Sequence, residues 1–366
     1  MKSLADIENL LKDFGQPGDI PVEAMALSLH AKRHTRQKKG SDLHAFAMLT
    51  SEISELDDVF VSIIDANACD FTFQIAVGNK GSELTHWSFM EFAFKANPQG
   101  KPECSIFICD PLGLKQSVLL ALLFSRTMKL GGLAEFCDIT VYLPTTTLQI
   151  AGRTCPYFAL DSIAMLSTQS QFENLYLYMR DHENAVKKDE YTKLIDFYKT
   201  GLTGCFDDEE MREIHDFRCV VSPLPPRLLR TTQSLPIIDD VLSTSGDKVV
   251  NAGGVTFKLS TSRYRLIVED RYGEKEERNL RVNSKMKQQN NCLRAHVATL
   301  SGQTDIESPD EKNSTKPHSL KFDSEEEKPA LIEQIGAAIR SHRMAGLNQW
   351  VNESLALKAM STLKLS

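Results

Sequence analysis

The central part of the chain alternates between apolar and polar positions, which is the pattern of half-buried β-strands. Runs of this kind, separated by turn-forming residues, predict strands at Phe71–Val77, Leu84–Phe94, Ser105–Cys109 and Ile139–Leu143. The short apolar run Val59–Ile64 has the same character and is also predicted to be a strand. Together these segments predict a β-sheet.

Helical spacing of apolar residues surrounds the strand-like runs. Apolar positions three and four residues apart predict helices over residues 21–34, 42–57, 114–130 and most of 155–200. An order of strands and helices of this kind predicts an α+β fold, in which helices cover a mixed β-sheet.

Three stretches outside the sheet region have a different composition. Residues 1–20 are polar and end in Gly-Gln-Pro-Gly, so we expect a mobile leader, with a short amphipathic helix over Met1–Gly15. Residues 301–329 are rich in Ser, Thr, Asp, Glu and Pro, which predicts a disordered linker. Helical spacing then returns and predicts terminal helices over 330–366.

Composition argues against several functional classes. The chain has 366 residues, 42% of them hydrophobic, which is enough for a normal core and for about two to three domains. Its formal net charge of -7 argues against a general nucleic-acid-binding protein. No apolar run approaches the roughly 18 residues of a membrane span, so none is expected, and we expect no signal peptide because the N-terminus lacks an apolar segment.

The cysteines point to thiol chemistry at one position. Eight are scattered along the chain without Cys-x-x-Cys spacing, so we expect no structural zinc site and no other metal. Several lie inside apolar runs, as buried thiols of a reducing compartment do. Cys155 differs, because an apolar helix-like stretch begins directly after it. A helix N-terminus favours the thiolate form of a cysteine.

Cys155 is the last member of an ordered set of polar residues. His86 lies in one alternating run, Asp110 ends the next, and Gln149 precedes the cysteine by six positions. A histidine can take the thiol proton, an acid can orient the imidazole, and a glutamine amide can donate to a developing oxyanion. We therefore expect His86 and Asp110 on neighbouring strands and Cys155 at the start of a helix.

These segments resemble the YopJ family of bacterial effector acetyltransferases, whose core is similar to the ubiquitin-like-protein cysteine proteases of clan CE. The resemblance covers roughly residues 20–200 and is carried by Pro21–Leu27, Thr85–Phe92, Phe107–Pro111, Gln149–Cys155 and Phe158–Leu160. It implies the α+β, clan CE-like core, with helical or irregular regulatory regions at both flanks. The segments are then an N-terminal flank at 21–58, a catalytic core at 59–200, and a regulatory and coenzyme-binding region at 201–300.

The resemblance also implies a role for each polar residue. His86 would be the general base, Asp110 its orienting acid, Cys155 the nucleophile and Gln149 part of the oxyanion hole. Family members form an acetyl-cysteine from acetyl-coenzyme A and pass the acetyl group to serine, threonine or lysine of host signalling proteins such as protein kinases. It further implies secretion into the host cytoplasm, with a type III route expected.

Inositol hexakisphosphate activates members of this family and is held by basic residues of the two flanks. The corresponding basic residues here are Lys32, Arg33, Arg36, Lys38, Lys39, Arg230, Lys285 and Lys287. They form separate basic stretches in a chain of net negative charge, which favours a shared polyanion.

The chain departs from the family pattern near the nucleophile and near its acid. Asp110 stands where the family often has glutamate, and Glu91 and Asp138 are the alternative acids. Pro156 follows the nucleophile and supplies no amide, although proline is well tolerated at the first turn of a helix.

One family segment contains a self-acetylated lysine, and two stretches resemble it. Leu224–Ser234 places Arg230 at that position, and an arginine would not be acetylated in the same way but can still bind phosphate. Phe197–Gly201 is the competing match and would place Lys199 there.

Two other functional classes remain open. The same triad serves proteases that cleave the tails of ubiquitin-like proteins. A catalytically inactive effector would instead bind a host kinase. The basic stretches suit coenzyme phosphates and favour acetyl transfer.

Overall fold

The computed structural model describes residues 4–14, 19–81, 85–168, 173–201, 218–269, 275–301 and 328–363. The strands within these ranges are β1 (Ala45–Leu49), β2 (Phe71–Lys80), β3 (Thr85–Lys95), β4 (Glu103–Cys109), β5 (Asp138–Pro144), β6 (Arg218–Ser222), β7 (Arg265–Glu269) and β8 (Lys275–Asn279). The helices are α1 (Leu4–Phe14), α2 (Val22–Gln37), α3 (Leu56–Ala66), α4 (Leu114–Thr127), α5 (Leu130–Leu133), α6 (Cys155–Leu166), α7 (Leu175–Asp181), α8 (Ala185–Gly201), α9 (Pro226–Leu229), α10 (Leu235–Ser245), α11 (Phe257–Ser262), α12 (Arg281–Leu300), α13 (Lys328–Arg340) and α14 (Met344–Leu363).

Strands β1 to β6 form one mixed sheet in sequence order, and β7 and β8 form a separate hairpin. β3 is antiparallel to β2 and to β4, whereas the other neighbouring pairs are parallel. β3 therefore runs against the other five strands. Its N-terminal end lies at the same sheet edge as the C-terminal ends of β4 and β5, so residues from all three can meet there.

Helices cover both faces of the sheet, because successive strand residues point to opposite faces. On β3 and β4, Trp87, Phe89 and Phe107 belong to the core shared with α1, α2, α6 and α12. Phe92 and Ile106 belong to the opposite core, with α3, α4, α8 and α14. The mixed sheet between two helical layers confirms the predicted α+β class.

The start of the chain is packed where we expected a mobile leader. Residues 4–14 form α1, whose Ile7, Leu11 and Phe14 are fully buried. The carbonyl of Phe14 accepts a hydrogen bond from the Tyr157 hydroxyl at 2.6 Å, and the two rings meet edge to face. The leader expectation is corrected for residues 4–14, because the apolar face of the amphipathic helix outweighs the overall polarity. The remaining positions 1–3 and 15–18 lie outside the described residues.

Two predictions for residues 42–64 are wrong. The helix predicted over 42–57 is strand β1 followed by a 3-10 helix at Thr50–Glu55. β1 is an apolar run buried on both faces, and periodicity alone does not separate such a strand from a buried helix. The strand predicted at Val59–Ile64 lies in α3, whose buried residues are spaced three and four positions apart. Tertiary packing of that apolar stripe selects the helix.

The C-terminal part of the chain packs back onto the N-terminal flank. α12 contacts α2 and α6, α13 contacts α2, and α14 contacts α3 and β1. α13 and α14 occupy the region where terminal helices were expected. Most of the predicted linker, residues 302–327, lies outside the described residues. Among the helices that the structure describes, none is both long enough and apolar enough to cross a membrane.

Candidate active site

A histidine and an acid are in contact where β3 begins and β4 ends. His86 is the second residue of β3, and Asp110 directly follows β4. The antiparallel register pairs Phe89 with Cys109, so one step further Asp110 lies opposite Ser88, and His86 lies two residues before Ser88 on the same face of β3. The His86 Nε2 atom lies 2.7 Å from Asp110 Oδ2. The structure thus places both residues where the strand order predicts them.

The Asp110 carboxylate is buried and held from several sides. The Ser88 hydroxyl donates to Asp110 Oδ2 at 2.6 Å, and the Leu112 amide donates to Oδ1 at 2.8 Å. The amide of Asp110 itself donates to Ser117 Oγ at 2.9 Å. These bonds fix the direction in which the carboxylate faces His86.

Cys155 is the first residue of α6 and is 7% exposed. Cys155 lies near enough to His86 to raise the pKa of its imidazole, as Asp110 does. Since Nε2 of the ring faces Asp110, Nδ1 is the nitrogen left for the thiol. Burial alone would lower the pKa of His86, but the hydrogen bonds and charges of Asp110 and Cys155 outweigh it and raise that pKa to about 10. An imidazole that holds its proton at neutral pH suits a thiolate–imidazolium pair.

The loop before Cys155 is irregular: the sequence Leu148–Ile150 predicts a short strand there, and none forms. The amides of Leu148 and Gln149 both donate to the Pro111 carbonyl at 2.8 Å, which fastens the loop to the turn after β4. The side-chain amide of Gln149 donates to the Gly152 carbonyl. Gly152 has a φ of 80°, a left-handed conformation that favours glycine.

The Cys155 amide and the Gln149 side chain are the candidate donors to a developing oxyanion. The first amides of a helix have no partner within it, and the Cys155 amide is among them. The Gln149 side chain carries two N–H groups, of which Gly152 accepts one. The other N–H remains for a ligand, so the geometry is compatible with the predicted role of Gln149.

The alternative acids occupy other environments. Glu91 lies five residues beyond His86 on β3, fully buried, and its carboxylate accepts from Gln74 Nε2 at 2.8 Å and from the Tyr176 hydroxyl at 3.0 Å. Asp138 begins β5 and is exposed at the far sheet edge. Asp110 is therefore the acid that the geometry favours.

A second charged site lies farther along α6, at Asp161. Arg230 binds this carboxylate in a bidentate manner, with Nη2 at 2.7 Å from both oxygens, and both side chains are 6% exposed. Lys285 Nζ lies 3.5 Å from Asp161 Oδ1. Arg36 donates to a main-chain carbonyl of α6 at 2.7 Å, and the charges of Lys32 and Asp161 interact. We call these five residues the basic junction.

Positive charge dominates the basic junction. Burial is the main reason that the pKa of Lys32 falls to about 8; Asp161 opposes the shift, whereas Lys285 and Arg36 add to it. Burial would raise the pKa of Asp161, but Arg230, Lys285 and Lys32 hold it well below its usual range. Arg230, Lys285 and Lys32 thus act on one carboxylate, and Arg36 lies beside them on α2.

The other predicted basic residues lie apart from the junction. Arg33 forms a bidentate pair with Asp42, at 2.8 and 2.9 Å. Lys38 and Lys39 follow the end of α2 and are exposed, as is Lys287 on α12. The side chain of Lys199, the competing match to the self-acetylated lysine, lies outside the described residues.

Asp161 and Gln233 are among the residues of these sites that were not predicted. Asp161 carries a charge inside the apolar stretch after Cys155, and a buried charge requires a partner, so it could have been noticed from the sequence. Gln233 accepts hydrogen bonds from the Ile150 and Ala151 amides, at 2.8 and 3.0 Å. These contacts span more than 80 residues of chain, and no local pattern signals them.

Comparison with known proteins assigns the chain to a family. The model of the YopJ serine/threonine acetyltransferase family matches residues 7–292, so the chain belongs to that family. No curated protein matches it in sequence.

Several solved structures are similar to the chain at low sequence identity. A structure of AvrA delL154 with IP6 and CoA is 15% identical, with a TM-score of 0.48, and covers 79% of this chain and 96% of its own. HopZ1a in complex with IP6 and CoA is 13% identical, with a TM-score of 0.48 and coverage of 81% and 100%. HopZ1a in complex with IP6 alone is 12% identical, with a TM-score of 0.47, and the match covers 78% of this chain and 92% of that chain.

Proposed function

We propose that Cys155 takes the acetyl group of acetyl-coenzyme A as a thioester and passes it to a serine or threonine hydroxyl, or a lysine amine, of a host signalling protein. Family membership gives the reaction class. The observation that carries the residue assignment is the contact of His86 with Asp110, beside Cys155 at the N-terminus of α6.

The first half-reaction moves the acetyl group onto the protein. The Cys155 thiolate attacks the thioester carbonyl, and the charge that develops on oxygen is stabilised by the Cys155 amide and the remaining Gln149 N–H. The carbon–sulfur bond to the coenzyme then breaks, and the protonated His86 gives its proton to the leaving thiolate. Asp110 keeps the imidazole directed at the reacting atoms.

The second half-reaction reverses these roles. His86, now neutral, takes the proton of the acceptor hydroxyl or amine as it attacks the acetyl-cysteine. Collapse of the tetrahedral species releases the acetylated acceptor and restores the Cys155 thiolate beside the imidazolium. The high pKa of His86 favours this final ion pair.

Inositol hexakisphosphate is the activator in this proposal, and the basic junction is its main site. Four cations from α2, from α12 and from the segment after α9 gather there, and three of them, Lys32, Arg230 and Lys285, act on the one carboxylate. Phosphate groups would neutralise the excess charge and hold the two flanks against α6. Of the eight basic residues in the prediction, Lys32, Arg36, Arg230 and Lys285 would bind it, and the others would contribute long-range attraction.

The host-directed part of the proposal rests on the family. The relatives matched by fold are the effectors AvrA and HopZ1a, in structures that include IP6 or CoA. We infer delivery from a bacterium into the host cytoplasm, where the proposed acceptors are signalling proteins such as kinases. A type III secretion route is part of the same inference.

Incubation with labelled acetyl-coenzyme A tests the function. We expect label on Cys155, label transfer to acceptor protein, and stimulation by inositol hexakisphosphate. No label in any condition, with cleavage of a ubiquitin-like precursor, would instead identify a protease of the same triad. Neither activity, with a retained kinase complex, would identify an inactive binding effector.

A further inference from the structure

A segment far away in sequence crosses the loop that leads to Cys155. The Gln233 side-chain oxygen accepts from the Ile150 amide at 2.8 Å and from the Ala151 amide at 3.0 Å. The main-chain amide of Gln233 donates to the Leu148 carbonyl at 2.8 Å. One residue therefore binds the main chain on both sides of Gln149.

The neighbours of Gln233 continue this attachment. The Thr232 hydroxyl donates to the Thr147 carbonyl at 3.0 Å. The Thr232 carbonyl accepts from Asn279 Nδ2 at 2.7 Å, which connects the segment to the end of β8. The loop is thus held by residues from the C-terminal region and not only by its own turn.

The direction of the Gln149 amide depends on this loop. One of its N–H groups is directed at the Gly152 carbonyl, three residues further on, and the position of Gly152 follows from the path of residues 150 and 151. An oxyanion donor has to be placed before the reaction, since a donor that must reorient loses most of its effect. A loosened loop would leave Cys155 intact and the donor misplaced.

We propose that Gln233 is a positioning residue that holds the oxyanion-binding loop of Cys155. It acts through Gln149 and does not touch the reacting atoms. The inference rests on the proposed function only for the use of an acyl donor, since any acyl transfer to Cys155 forms the same kind of oxyanion.

Two reactions of Cys155 separate this role from others. With p-nitrophenyl acetate, the thiolate attacks a carbonyl, p-nitrophenolate leaves, and an oxyanion forms on the way. With iodoacetamide, the thiolate displaces iodide from a saturated carbon, and no oxyanion forms. A positioning residue of the oxyanion loop affects only the first reaction.

The main variant is Gln233→Met, which keeps the side-chain length but removes the acceptor. We expect the maximal acylation rate by p-nitrophenyl acetate to fall by about 10- to 100-fold, with little change in the ester concentration for half-maximal rate and alkylation within twofold of wild type. Gln233→Glu retains an acceptor for both amides and should recover most of the acylation rate. The matched control is Gln99→Met, at the opposite end of β3 on an exposed turn.

Each contrary outcome overturns the proposal. Acylation by the Met variant within twofold of wild type would show that the loop holds itself. A parallel fall of acylation and alkylation would show that Gln233 supports the triad or the fold instead. Should the Met variant fail to fold in a thermal melt, Gln233→Asn replaces it, because its shorter amide does not reach both main-chain groups. Failure of the proposed function is separate: the wild type would then react with the ester but not with acetyl-coenzyme A.

Discussion

Helix α6 carries two charged sites that use a buried carboxylate in opposite ways. At the site beside the N-terminus of α6, Asp110, which follows β4, faces only the imidazolium ring of His86, and the His86 side chain is 31% exposed. Farther along the helix, Asp161 faces several cations, and its partner Arg230 is 6% exposed. The first site is balanced and open, which suits chemistry. The second has excess positive charge, which suits structure or the binding of an anion.

The pKa shifts show the same difference. At both sites burial disfavours the charged form of the base. For His86, Asp110 and Cys155 outweigh burial and the pKa rises to about 10. For Lys32, burial wins and the pKa falls to about 8, because Asp161 is shared with other cations.

The largest effect is expected at the open site. Cys155→Ala removes the nucleophile and should abolish acyl transfer, and His86→Ala should reduce it by roughly 10³-fold or more. Mass spectrometry of the acetylated protein and of the acceptor measures both. Cys69→Ser, a partly buried thiol in another part of the fold, is the control. Wild-type transfer by the Cys155 variant would remove the triad assignment.

The next effect tests which acid serves the histidine. Asp110→Asn should lower acyl transfer by roughly 10²- to 10⁴-fold and return the pKa of His86 toward its ordinary value near 6.5. The raised pKa means that the ion pair stabilises the fold fully below about pH 6.5 and that this contribution is lost as pH rises through about 10. In the variant this pH-dependent contribution should shrink toward zero, because the folded and unfolded pKa values of His86 converge.

A titration of the His86 ring by NMR measures this shift. Glu91→Gln is the matched variant, because Glu91 is buried on the same strand but is bound by Gln74 and Tyr176. Its effect should be on stability, with the pKa of His86 unchanged. A shift of that pKa in the Glu91 variant but not in the Asp110 variant would reverse the assignment.

The third effect concerns the contribution of the Asp161–Arg230 pair in the basic junction to the stability of the fold. Asp161→Asn leaves Arg230 buried without its anion and should reduce the free energy of unfolding by about 3–5 kcal/mol. Because the folded-state pKa of Asp161 is depressed, its contribution is present above about pH 3.9 and is lost as pH falls below that value. Denaturant unfolding at neutral pH measures the loss.

The control for this experiment is an exposed pair. Asp42→Asn removes the partner of Arg33; the Asp42 side chain is 35% exposed and that of Arg33 is 28% exposed. The substitution should lower the free energy of unfolding by less than about 1 kcal/mol. Equal losses in the two variants would mean that burial does not distinguish the Asp161 pair from a surface pair.

The open site could be predicted well because its geometry follows from local patterns. Alternating runs place His86 and Asp110 at the same edge of two neighbouring strands, and a helix-like stretch places Cys155 at a helix start. The apolar runs at 42–64 could not be assigned in this way. Both strand β1 and helix α3 bury short apolar segments, and only tertiary packing separates them.

The basic junction shows why contacts between residues far apart in sequence could not be predicted. Lys32 and Arg36 are four residues apart and share a face of α2, so their joint placement follows from the helix. The pairing of Arg230 with Asp161 joins residues 69 positions apart, and that of Gln233 with Ile150 joins residues 83 positions apart. Composition gives the charges but not their partners.

The smallest effect tests whether the excess charge at the basic junction binds a polyanion. Inositol hexakisphosphate at a hundredfold excess over its dissociation constant should stabilise the fold by about 2.7 kcal/mol, visible as a higher midpoint in a thermal melt. The shift should decrease with salt, since charges are screened over about 10 Å at 0.1 M. Lys285→Met should reduce the shift more than Lys38→Met, because Lys285 contacts Asp161 whereas Lys38 is exposed beyond the end of α2. Equal reductions would place the ligand on the exposed basic surface, and no shift even at low salt would leave the junction a purely structural cluster.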